Sequence, residues 1–188
     1  MPDRLRVWVS QPLFGDIVER LGAHFDLVTT TAVAKHSPQA IADALRDVDG
    51  ALVTLNDPIG AAEIAGATRL RAIANVAVGY NNLDIAALSQ AGIVVTNTPD
   101  VLTETTADFG FALMMAAARR VTEGERWLRD GQWTQWSFQT LLGSDVHGST
   151  LGILGMGRIG QGIPRPARGV GMHGLYHNPS RVPRALRE

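Results

Sequence analysis

Near its end the chain reads Leu151-Gly-Ile-Leu-Gly155-Met-Gly157-Arg158-Ile159-Gly160, a short apolar run passing into Gly-x-Gly-x-x-Gly. This spacing suits binding of a phosphorylated ligand. Gly155 permits a tight turn, Gly157 lets backbone approach a pyrophosphate, and Gly160 lets the next helix pack against the strand. The helix start then offers free N–H groups and a favourable dipole to negative charge. Gly155, Gly157, Arg158, Ile159 and Gly160 are therefore candidate cofactor-facing residues of a dinucleotide-binding βαβ unit. Such a fold needs several more strands, and only Gln161 to Glu188 follow. We expect a C-terminally truncated dinucleotide-binding domain.

Cofactor choice is partly legible further along. NAD-preferring proteins place an acid about twenty residues past the first glycine, on the ribose 2′-hydroxyl. Here that stretch is Tyr176-His-Asn-Pro-Ser180-Arg181, without an acid. An acid would repel a 2′-phosphate, whereas Ser180 and Arg181 can donate to one. The expectation is NADP(H) in preference to NAD(H). Six arginines from Arg158 onward, against the single acid Glu188, fit a phosphorylated ligand or equally a solvated tail. His173 and His177 stand four apart but fall in the expected second strand of the nucleotide unit, so none of the five histidines makes a helix-face metal pair, and none is a catalytic candidate.

The elements needed to position these residues form two blocks. In the first hundred residues, strand-like runs at 5–10, 25–30, 51–55, 70–78 and 93–97 alternate with helical segments at 15–21, 38–45, 61–65 and 83–90. Ser37-Pro38 reads as an N-cap and first helical residue, and Gly92 as a terminating glycine. Strands separated by short helices imply a parallel sheet covered on both faces, an α/β domain of flavodoxin-like appearance spanning 1–99. Thr98-Pro99-Asp100 breaks the alternation. A long helix is expected next, capped by Thr103, with Phe109, Leu113, Ala116 and Ala117 as an apolar stripe, running to about Asp130 before Gly131. It opens the second block, 100–188, an interdomain helix followed by the start of a Rossmann domain. Trp127, Trp133, Trp136 and Phe138 cluster at its end as a packed interface or core edge, with direct substrate contact as the alternative.

The helix after the glycines is flawed: it reads Gln161-Gly-Ile-Pro164-Arg-Pro166, with Pro164 too deep for a first-turn proline. An interior proline costs roughly 3 kcal/mol, so this helix should break or distort. Gly174 should weaken the second strand.

Composition narrows the remaining classes. The 188 residues carry net charge −1, 45% hydrophobic and 19% charged residues, and no cysteine. Disulfides, thiolate zinc sites and cysteine nucleophiles are excluded, and nothing favours nucleic acid or a membrane surface as partner. No signal pattern or membrane-length apolar run is present, so we expect a cytoplasmic protein.

Three ordered stretches resemble the D-isomer-specific 2-hydroxyacid dehydrogenases, in particular their glyoxylate/hydroxypyruvate reductase branch. They are Asn75-Val-Ala-Val78-Gly79-Tyr80-Asn81-Asn82-Leu83-Asp84, then Thr96-Asn-Thr-Pro99-Asp100 running into Thr103-Glu-Thr-Thr106-Ala-Asp108, and finally Gly152 through Gln161. The resemblance implies NAD(P)H-dependent reduction of glyoxylate or hydroxypyruvate to the 2-hydroxy acid. It implies that the Val78 and Gly79 amides hold the substrate carboxylate, and that Thr106 lies toward the nicotinamide. It also implies a homodimer for a complete chain. The family's catalytic arginine, glutamate and histidine lie on later segments and map to no residue here, so this polypeptide is expected to be inactive alone. The alternative is a decayed, non-enzymatic module that binds a carboxylate or a partner, and the two prolines favour it.

Overall fold

The computed structural model describes residues 4–31, 33 and 35–181, which fold as two compact units dividing at Pro99/Asp100. In the first, strands β1 (Arg6–Val9), β2 (Asp26–Thr29), β3 (Gly50–Val53), β4 (Ala72–Asn75) and β5 (Val94–Thr96) form one parallel sheet. Its order is β2-β1-β3-β4-β5, the doubly wound arrangement. Helices α1 (Gly15–Gly22), α2 (Pro38–Leu45), α3 (Ala61–Ile64) and α4 (Ile85–Gln90) make the crossovers.

Local chemistry sets these boundaries. The Ser37 hydroxyl accepts the Ala40 N–H at 3.2 Å with Pro38 as first helical residue, and Asp84 caps α4 by accepting the Ala87 N–H at 3.0 Å. Gly92 closes α4 at φ +72°, a conformation that costs glycine little. Ile41, Leu45, Val53, Ile59, Ile73 and Leu88 are each at most 2% exposed and form the core between one sheet face and helices α2 to α4. The expectation of two covered faces needs correcting. Leu5, Val7, Phe25, Leu52 and Ala74 line an open apolar hollow of about 280 Å³, and of the described helices only α1, through Leu21, reaches it.

The second unit contains α5 (Thr103–Ala118), α6 (Val121–Arg129), β6 (Thr150–Leu154), α7 (Arg158–Gly162), α8 (Pro164–Gly169) and β7 (His173–His177). Strands β6 and β7 pair in parallel from Thr150↔His173 to Leu154↔His177, so Gly174 does not prevent the strand. Thr103 is the first residue of α5, and Leu102 holds the cap position expected for Thr103.

The single long helix to Asp130 is also corrected. The chain turns at Arg120, whose φ of +54° ends α5. The reason is non-local: Ser144 N–H reaches back to the Ala118 carbonyl at 2.8 Å, and Gly143 lies so close that a Cβ would fall 2.6 Å from that oxygen. The Arg120 guanidinium donates to both Glu123 carboxylate oxygens and to the Leu142 carbonyl. Glu123 is held below the usual carboxylate range, first by its hydrogen bond from Arg120, and the same bond raises Arg120. Of the expected stripe, Phe109 and Leu113 are 63% and 53% exposed. Trp127, Trp133 and Trp136 line a hollow of about 470 Å³, and Trp136 meets Phe138 edge-on at 4.5 Å.

The prolines do divide the helix, at Ile163 alone. Pro164 and Pro166 become the first and third residues of α8. At both positions the missing N–H would have had no intrahelical partner, so Pro164 is a first-turn proline after all.

Candidate functional site

In the first unit the site residues lie where the sheet's strands end. The run expected to be strand as far as Val78 leaves the sheet after Asn75 and turns through 76–79. Val76 N–H still reaches the Val53 carbonyl, and Ala77 N–H folds back onto the Asn75 carbonyl, both at 2.8 Å. Three successive carbonyls of the turn are then held. Ala77 O accepts the Thr98 N–H at 2.9 Å, Val78 O accepts Asn97 Nδ2 at 2.8 Å, and Gly79 O accepts Asn75 Nδ2 at 2.9 Å.

A trans peptide is planar, with N–H and C=O pointing in opposite directions, and no peptide bond here is cis. Pinning the Ala77 and Val78 oxygens therefore aims the Val78 and Gly79 N–H groups the other way. Among the described residues neither N–H has a protein acceptor. Gly79 is exposed and Val78 half-buried. Two adjacent donors without partners in a held turn form a ready receptor for an anion.

A buried polar network lies beneath this turn. Asn82 Nδ2 donates to the Thr54 and Asp57 carbonyls at 3.1 Å each. The Asp57 carboxylate, fully buried, accepts from Ser10 Oγ at 2.6 Å and from the Thr54 N–H at 2.9 Å. These contacts join the ends of β1 and β3, the point where the strand order reverses and where open α/β sheets place their ligands. The asparagines were not among the residues singled out from sequence. The available signal was Asn75, a poor strand former within the apolar run Ala72-Ile-Ala-Asn-Val.

In the second unit the glycine loop has the geometry its spacing implied. Gly155 adopts φ +94° and its N–H continues the ladder to the His177 carbonyl at 2.9 Å. A Cβ on Gly157 would meet nothing within 4 Å, whereas one on Gly160 would overlap the Gly155 carbonyl. Asn178 occupies the region expected to lack an acid. Its Oδ1 accepts the Met156 N–H at 3.1 Å and its Nδ2 donates to the Ser180 carbonyl at 2.8 Å, tying the glycine loop to the turn after β7.

Arg158 is exposed and ion-paired with Asp100, Nε to Oδ1 2.8 Å, while Ile159 is half-buried. Ser180 and Arg181 are exposed. Thr106 is half-buried on α5, its N–H bonded to the Leu102 carbonyl at 2.9 Å. Helix α5 crosses α7 closely: a Cβ on Gly162 would lie 2.5 Å from Ala107 Cβ, and Arg165 pairs with Glu104. Among the described residues no cluster of His, Cys, Asp or Glu could hold a metal, and no helix is long and apolar enough to cross a membrane.

A doubly wound parallel unit with a displayed amide turn is followed by a strand–glycine loop–helix unit, which defines an α/β protein of two units. Residues 7–154 match the catalytic domain of the D-isomer specific 2-hydroxyacid dehydrogenases. The glyoxylate reductase of Korarchaeum cryptofilum is 46% identical over 174 residues, 92% of this chain and 52% of the relative. The TT0316 protein of Thermus thermophilus superposes with TM-score 0.87 at 39% identity, covering 95% of this chain and 58% of that one. An NADPH-dependent glyoxylate/hydroxypyruvate reductase from Sinorhizobium meliloti, solved with NADP and malonate, superposes with TM-score 0.79 at 32% identity, covering 96% and 55%. The chain belongs to the D-isomer specific 2-hydroxyacid dehydrogenase family and spans about half the length of the relatives it matches.

Proposed function

We propose that this chain carries the substrate turn and the nucleotide-phosphate loop of an NAD(P)H-dependent dehydrogenase that reduces glyoxylate or hydroxypyruvate to the 2-hydroxy acid. The observation that supports it most directly is the Val78–Gly79 turn, with its carbonyls held and its two amides without an acceptor among the described residues. Two N–H groups side by side can accept a carboxylate and orient the adjoining keto carbon, and hydrogen bonds to a charged acceptor are the stronger kind. In this reading residues 1–99 are the substrate unit and 100–188 the nucleotide unit.

The second unit fits a dinucleotide. The left-handed Gly155 and the open space beside Gly157 admit a pyrophosphate against backbone. Gly157, Arg158 and Ile159 would face it, Thr106 would lie on the nicotinamide side, and Ser180 and Arg181 would donate to a 2′-phosphate, favouring NADP(H). The cofactor supplies the hydride. A cation for the substrate and an acid for the forming alkoxide are also needed, and we assign them to segments that the longer relatives possess.

The test joins this chain to those segments and supplies NADPH with glyoxylate or hydroxypyruvate. Protein-dependent loss of the reduced-nicotinamide absorbance is expected. Its absence with every small 2-keto acid would remove the proposal. Residues 1–188 alone, as the control, should give no turnover.

A further inference from the structure

We infer that Asn75 is a positioning residue that presets the Val78–Gly79 turn for its ligand. The inference rests on the carboxylate reading above and concerns a residue that would not touch substrate. Asn75 is 1% exposed at the end of β4. A buried amide is costly unless its polar atoms are paired, so its partners define what it does. Its Nδ2 donates to the Gly79 carbonyl at 2.9 Å and lies 3.4 Å from Asn82 Oδ1, while Asn82 Nδ2 lies 3.4 Å from Asn75 Oδ1. Through Asn82 the pair is anchored to the Thr54 and Asp57 carbonyls.

Gly79 is the conformationally loosest residue of the turn, having no Cβ to restrict it. The Thr98 and Asn97 contacts hold the peptide planes before it, and among the described residues only Asn75 holds the plane after it. Asn75 therefore removes the swing of Gly79 about its ψ before any ligand arrives, closing the far side of a turn whose two amides are aimed by the Thr98 and Asn97 contacts. Ordering done in advance is ordering that binding does not have to supply. Asn75 thus acts on affinity for the carboxylate while leaving the chemistry of the keto group to other residues.

The experiment uses residues 1–188 labelled with 15N, with oxalate as a carboxylate probe that cannot be reduced. In the wild-type chain the Val78 and Gly79 amide signals should move together on titration. Asn75→Ala and the near-isosteric Asn75→Asp should weaken that response about tenfold or more. They should also raise backbone mobility across residues 77–80, with the signals of Ile41 and Leu88 unmoved as proof that the core persists. Variants that keep both wild-type mobility and oxalate affinity would overturn the inference and leave the proposed function standing. A wild-type turn indifferent to oxalate would count against the carboxylate reading instead. The mobility of 77–80 in the variants would then decide the positioning role alone, with loosening supporting it and unchanged order overturning it.

Discussion

The carbonyl oxygen of Gly155 occupies the space that any side chain on Gly160 would need. The first and third glycines of the loop are thus coupled by sterics within the protein, independent of ligand. The second is different, because a Cβ on Gly157 meets nothing.

The two positions should therefore fail in different ways. Gly160→Ala overpacks backbone against backbone and should destabilise the second unit by at least the ~1–3 kcal/mol usual for overpacking. Gly157→Ala should leave thermal stability nearly unchanged and weaken nucleotide binding once the chain is joined to the later segments of its longer relatives. Differential scanning calorimetry and cofactor titration check the pair. Equal loss of stability in both variants would contradict the loop geometry.

Arg181 and Ser180 are exposed beside a turn that lacks an acid. With the chain joined to the later segments of its longer relatives, Arg181→Ala should lower affinity for NADPH substantially more than for NADH, since only the former carries the 2′-phosphate. One charge-assisted hydrogen bond corresponds to about 1.5–3 kcal/mol, or roughly tenfold to a hundredfold. Fluorescence titration of both reduced cofactors makes the comparison.

Acid should loosen each unit through a named carboxylate. Asp49 is held below the ordinary aspartate value, first by the Arg6 backbone N–H and also by Arg69, and it links the start of β1 to the loop before β3. Glu123 is lowered by Arg120 at the turn between α5 and α6. A carboxylate with a depressed folded value contributes stability above its unfolded pKa, and that contribution is lost as pH falls through the folded value. The melting temperature should thus decline below the ordinary carboxylate range. Asp49→Asn should flatten this decline in the first unit, and Glu123→Gln in the second. An unchanged slope in either variant would assign the acid sensitivity elsewhere.

Features written in adjacent residues were legible before the structure. Ser37-Pro38, Gly92 and the glycine loop each act within a few positions, so spacing alone discloses them. The turn at Arg120 was not legible, because Ser144, Gly143 and Leu142 terminate α5 from more than twenty residues away. Asn75 and Asn97 escaped for a similar reason. Their role is to hold the carbonyls of other residues, and a side chain that supports a turn from beneath leaves no mark in the periodicity of its own strand. The prolines misled in the opposite sense. Within one continuous helix they would break its hydrogen bonds, whereas the chain begins a second helix at Pro164 and needs neither missing N–H.

Among the described residues β6 pairs with β7 alone, and this has a thermodynamic consequence. The first unit buries five strands against three helices, while Leu154 and Leu175 on the second unit's strands remain 88% and 66% exposed. Two strands by themselves are marginal. Residues 1–188 should therefore melt in two calorimetric steps, the lower one erasing the β6–β7 signals and the upper one the sheet. A single cooperative transition would mean that the units share their stability. For this polypeptide, one Tm would describe only half of the molecule.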